Sequence, residues 1–178
     1  RNCDWSSDVC SSDLTGKAEK DQTKLGIYFA PSAPQRVLYT RSSYSALFVI
    51  PAGAEDYEAT TRDLGSFAVN FTFVKNSYLY EMSPHMHVRG SRFRYEAQYP
   101  NGTKETLLNV PYYDFYWQSY YRFKTPKLMP AGTKIVCTAG WDNSKLNLRN
   151  PNPASSVNFG EQTTQEMFIG FFNYSDAP

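Results

Sequence analysis

Arg92-Phe93-Arg94-Tyr95-Glu96-Ala97-Gln98-Tyr99-Pro100-Asn101-Gly102 is the stretch that decides the fold class. Arg92, Arg94 and Glu96 alternate with Phe93, Tyr95 and Ala97, so an extended chain sends charge to one face and apolar groups to the other. Pro100-Asn101-Gly102 then turns the chain, because Asn and Gly tolerate the positive φ of a tight hairpin. Glu105 to Val110 is the returning strand. Further strands are expected at Leu25–Phe29, Arg36–Tyr39, Ala46–Ile50, Asp56–Thr60 and Phe67–Phe73. Tyr78–Val88, Phe115–Phe123, Lys134–Ala139 and Glu166–Tyr174 complete the set, and Asp142–Pro153 is an Asn- and Pro-rich loop. With 14 Tyr, 12 Phe and 3 Trp, and 11 Pro and 10 Gly as punctuation, the composition favours strands over helices. No long amphipathic helix or internal repeat stands out. The expected class is all-β, an antiparallel jelly-roll-like β-sandwich.

The 178 residues suffice for one sizeable core. A net charge of +1 gives no basic footprint for nucleic acid. Mean hydropathy is −0.54, and no run approaches the ~18 apolar residues of a membrane helix. Residues 1–14 contain DWSSDVCSSDL, the translation of a common sequencing adapter, and are expected to be a disordered artefact outside the fold. Without them, one Arg and three Asp fewer, the charge rises from +1 to +3, and Cys137 is the single cysteine left. An adapter fused in frame implies that the natural N-terminus lies upstream. No conclusion about a signal peptide then follows from this sequence.

The two histidines are His85 and His87. On a strand they share one face, with Met86 on the other, and two imidazoles one strand repeat apart can chelate a metal. Packed core histidines are the alternative. A third donor would come from Cys137, a carboxylate, or one of Met82, Met86, Met129 and Met167. A carboxylate would suggest zinc or non-haem iron and a thioether copper; spacing does not choose between them.

Four motifs carry a family resemblance: Ser83-Pro84-His85-Met86-His87-Val88-Arg89-Gly90 with Phe93-Arg94-Tyr95-Glu96; Tyr113-Asp114-Phe115-Tyr116-Trp117-Gln118; Asp142-Asn143-Ser144-x-x-Asn147-x-x-Asn150-Pro151-x-Pro153; and Gly160-Glu161-Gln162-Thr163-x-x-Glu166-Met167. In this order they resemble the C-terminal domain of the copper type II, ascorbate-dependent monooxygenases. The likeness is to bacterial relatives of the peptidylglycine α-hydroxylating and dopamine β-monooxygenases, and it runs from about Gly16 to Phe172. It implies one copper per chain on His85, His87 and Met167, with Met82 and Met86 left as packing residues. It also implies O2 and a small organic substrate as reactants, ascorbate as reductant, and a periplasmic or secreted protein. Residues 15–34 would be the tail or linker of a missing upstream copper domain with three His ligands, and 35–178 the oxygen-activating domain.

There are departures. Ser83 stands where the peptide-hydroxylating member has a carboxylate-clamping Arg, which speaks against peptide substrates. Phe168 stands where the animal enzymes have Cys, and Gly140 where many relatives carry a bulkier residue. The aromatic run Tyr112–Tyr121 is expected to be a sandwich strand, with Phe115 and Trp117 on one face and Tyr116 on the other. The rival functions are a non-catalytic copper-binding module and a carbohydrate-binding sandwich that uses this run.

Overall fold

A computed structural model describes residues 20 and 22–178. The expectation for residues 1–14 and the first part of the 15–34 tail lie outside the described residues. Among the described residues twelve strands follow in chain order: β1 Tyr39–Ser45, β2 Val49–Ile50, β3 Tyr57–Thr60, β4 Ala68–Val69, β5 Phe71–Thr72, β6 Ser77–His85, β7 Gly90–Gln98, β8 Lys104–Val110, β9 Tyr121–Met129, β10 Lys134–Trp141, β11 Val157–Asn158 and β12 Ile169–Asp176. One short 3-10 turn, Gly65–Phe67, precedes β4. The strands form two open antiparallel sheets, ordered β4-β1-β12-β6-β9 and β3-β10-β7-β8, with β5 also on β10; β2 and β11 make a small third pair. This is the expected all-β sandwich.

The β7–β8 hairpin forms at the predicted turn. Gln98 pairs with Lys104, Gly102 has φ +85°, and the Asn101 side chain accepts from Thr103 N–H. Phe93, Tyr95 and Ala97 face inward to meet Ile135, Cys137, Ala139 and Trp141 of β10 and Leu79, Met82 and Phe172 of the other sheet. The sheets pack tightly against each other at Gly170. A Cβ there would lie 2.5 Å from Cys137 Sγ and 2.8 Å from Tyr95 Cε1, so only hydrogen fits. A register shift between Leu79 and Glu81 changes which residues of β6 face in. Leu79 and Met82 face the core, while Ser83 and His85, opposite Phe171 and Ile169, share the outer face of the sheet.

Several expected strands differ. Leu25–Phe29 forms no strand, and Leu25, Ile27, Tyr28 and Phe29 are exposed. Alternation makes a strand only where a sheet edge accepts its backbone groups, and the first ladder begins at Tyr39, so Arg36–Tyr39 contributes only its last residue. In Ala46–Ile50 only Val49–Ile50 is paired. Phe67–Phe73 is not one strand. Its chain breaks at Asn70, whose N–H donates to Asp63, and it changes sheets: β4 pairs with β1, β5 with β10. Such corners join the layers of a sandwich.

Phe115–Tyr120 is loop rather than strand, because Asp114 caps a turn by accepting from Tyr116 N–H through its side chain and from Trp117 N–H through its carbonyl. Phe115 is buried, but Tyr116 and Trp117 are both exposed, so the two-faced arrangement does not occur. Pairing resumes in β9, an edge strand, and its ladder skips the residues around Pro126, which lacks an N–H to donate. The space beside Gly140 is filled by the Arg92 side chain, which reaches Asp56 and Glu58.

Candidate metal centre

β6 ends at His85, and the chain continues through Met86 and His87 without a strand partner. Side chains take over the pairing. The Tyr113 hydroxyl accepts from Met86 N–H at 3.1 Å and donates to the Met86 carbonyl at 2.7 Å. The Glu166 carboxylate accepts from His87 N–H at 2.8 Å and from Arg89 N–H at 2.7 Å, and the Trp141 indole N–H donates to it at 3.1 Å. Every-other N–H groups of an extended chain point one way, so a single carboxylate bridges two of them where a neighbouring strand would otherwise accept. Burial pushes the Glu166 carboxyl up to about 7, although the amide donors and the Arg89 charge pull it down.

The two imidazoles lie 5.3 Å apart, centroid to centroid, at 84°. Both are buried, and Met86 points the other way into the core. His85 Nδ1 is 2.6 Å from Gln118 Oε1, and the Gln118 amide nitrogen donates to the Phe115 carbonyl at 3.0 Å. That second bond orients the amide, so the oxygen faces His85 and Nδ1 must carry the proton. His87 Nδ1 faces the Gln165 carbonyl at 3.3 Å, which can only accept. In the neutral form both rings therefore hold their lone pair on Nε2, the arrangement by which metal-ligating histidines are set.

Met167 is buried on the approach to β12. Ile169 pairs with His85 across the β12–β6 ladder, so a residue two positions earlier falls beside His87 on the same face if the chain stays extended. Among the described residues no group of three or more His, Cys, Asp or Glu side chains comes together. Cys137 is in the core, its thiol pushed well up by burial, and belongs to the opposite sheet. Of the methionines considered from sequence, Met82, Met86 and Met129 lie in the core between the sheets, and Met167 is buried just before β12.

The loop before β9 folds over this outer face. Phe115 packs 6.1 Å from the His87 ring, and Phe171 lies 6.3 Å from that of His85. Ser83, His85, Gln118, Tyr120 and Phe171 line an open recess of about 320 Å³ beside the first imidazole. Sequence reading assigned no role to Gln118, Tyr113 or Glu166. The available signal was an acidic residue directly before an apolar strand, where a carboxylate is buried only if it has donors to bind. Asp142–Pro153 is a loop built on local side-chain turns: Asp142, Asn147, Asn150 and Asn152 each accept from a backbone N–H two residues on.

Comparison with models of known protein families and with curated proteins returned no match.

Proposed function

We propose that this sandwich is the oxygen-activating copper domain of a copper- and ascorbate-dependent monooxygenase, holding one copper on His85, His87 and Met167. The observation that carries the reading is the pair of buried imidazoles, ring centroids 5.3 Å apart, each with its Nδ1 against an oxygen acceptor. The donor chemistry fits: imidazole suits both copper oxidation states and a thioether favours Cu(I). Copper, when bound, supplies the one-electron chemistry with O2 that ends in hydroxylation of a substrate C–H bond. The chain's own part is positional. Gln118 and the Gln165 carbonyl fix the tautomers, Tyr113 and Glu166 hold the backbone between and beyond the rings, and the recess at Phe171 and Tyr120 seats a small organic substrate. Ser83 offers that substrate a hydroxyl and no cation.

Ascorbate as reductant, an upstream three-His copper domain, and a periplasmic or secreted location come to this proposal from the motif resemblance. Titration of the chain with Cu(I), with electron paramagnetic resonance after oxidation, tests it. One equivalent should bind, and His87→Ala should abolish tight binding. No copper uptake, or unchanged affinity in the variant, refutes it. A complete gene encoding a three-His domain upstream separates the monooxygenase from a non-catalytic copper module. A second reading, carbohydrate binding, draws on the exposed rings of Tyr112, Tyr116 and Trp117. Oligosaccharide titration followed by tryptophan fluorescence tests it separately.

A further inference from the structure

Arg89 is the one buried arginine among the described residues, 2 % exposed. Its Nε–H donates to Asn143 Oδ1 and an Nη1–H to the Thr164 carbonyl, each at 2.9 Å. Both acceptors are neutral. Among the described residues Arg89 makes no ion pair, whereas the more exposed Arg92, Arg122 and Arg149 each reach a carboxylate. Glu166 attracts it at longer range, but the carboxylate oxygens are turned to two amide N–H groups and an indole. A buried charge without a close partner is costly, and a guanidinium has five N–H groups to satisfy.

Arg89 and Thr164 also line a recess of about 380 Å³ whose other walls include Ser155, Ser156, Asn158 and Gln165. None of its lining residues belongs to the recess beside His85. Its lining carries one cation, several neutral polar groups and no acidic side chain.

We propose that this recess binds a small carboxylate. The planar guanidinium fork matches a carboxylate's geometry, and the serine hydroxyls and amide side chains supply neutral donors for its remaining lone pairs. A monoanion is favoured over a doubly charged phosphate because a single positive charge lies here, with the Glu166 carboxylate behind it. The site stands independently of copper.

The test uses the full chain, metal-free and 15N-labelled, followed by NMR at the arginine Nε–H and backbone amide signals during titration with acetate. Inorganic phosphate and sodium chloride serve as parallel arms. Saturable acetate shifts should localise to Arg89, Ser156 and Gln165, with phosphate weaker and chloride without specific effect. Ser156→Asp places a negative charge on an exposed wall of the recess and should weaken acetate at least about tenfold. Arg89→Gln should abolish the response; if that variant fails to fold, Ser156→Asp decides alone. Absent saturation, equal response to chloride, or shifts unchanged in Ser156→Asp overturn the site. Tighter binding of phosphate than acetate overturns the carboxylate assignment.

Discussion

Replacing Glu166 by Gln removes the carboxyl that holds the chain behind His87 and changes how stability depends on pH. In the folded protein the carboxyl is pushed from 4.5 up to about 7, chiefly by burial. The folded state therefore holds the proton more tightly than the unfolded chain does. Below the unfolded value both states are protonated and the acid carries no penalty. As pH rises toward 7 the unfolded chain ionises first, and stability falls by about 1.4 kcal/mol per pH unit. Above the folded value both are ionised, and the loss levels off at roughly 3 kcal/mol. Glutamine cannot titrate, so this component vanishes. The amide still offers one oxygen to the His87 and Arg89 N–H groups, but its NH2 faces a donor. That mismatch costs about 1–3 kcal/mol at every pH. The wild-type protein should thus be clearly more stable near pH 5, and the difference should shrink or reverse by pH 8. Urea unfolding of metal-free protein at pH 5, 6, 7 and 8 measures both curves, and titrations shared by the two proteins, including those of the histidines, cancel in their difference. A difference in unfolding free energy that stays constant from pH 5 to 8 would refute the reasoning, because it would mean that Glu166 ionises in the folded protein as easily as in the unfolded chain.

Gln118→Leu should lower copper affinity about tenfold to a hundredfold, the usual effect of losing a partner that orients a ligand; isothermal titration of the two proteins would detect it, and equal affinities would count against Gln118 as the anchor of His85. Met86→Leu should leave copper binding unchanged and cost less than about 1.5 kcal/mol, since its side chain lies in the core and the volume is nearly kept. Met167→His should retain copper but shift it toward the oxidised state, read by electron paramagnetic resonance and potentiometry, because a nitrogen donor replaces a sulfur that favours Cu(I). Gly170→Ala should destabilise the protein by about 1–3 kcal/mol through the contact with Cys137 Sγ. Cys137→Ala should relieve part of that loss in the double variant, and a denaturant double-mutant cycle with no coupling would show that the sheets do not meet there.

Local pattern determined much of this protein. The charge alternation of Arg92–Gln98, the Asn101-Gly102 turn and the apolar strand around Cys137 name their own conformation, because side-chain period and turn φ are properties of a few consecutive residues. The same geometry brings His85 and His87 to one face and sends Met86 to the other. The rest depended on partners distant in the chain. Leu25–Phe29 has the alternation of a strand but pairs with no strand among the described residues. Phe67–Phe73 has one period yet serves two sheets, since Asn70 is held by Asp63 and the chain must turn the corner. Phe115–Tyr120 looks like a strand until Asp114 captures its backbone. In the candidate site, the residue types of the imidazole pair were readable, but their tautomers were not. Those follow from Gln118, 33 residues away, and the Gln165 carbonyl, 78 residues away. Glu166 becomes a backbone clamp and Arg89 a buried cation only when the sandwich closes around them, because burial and hydrogen-bond geometry are set by packing and have no period in the sequence.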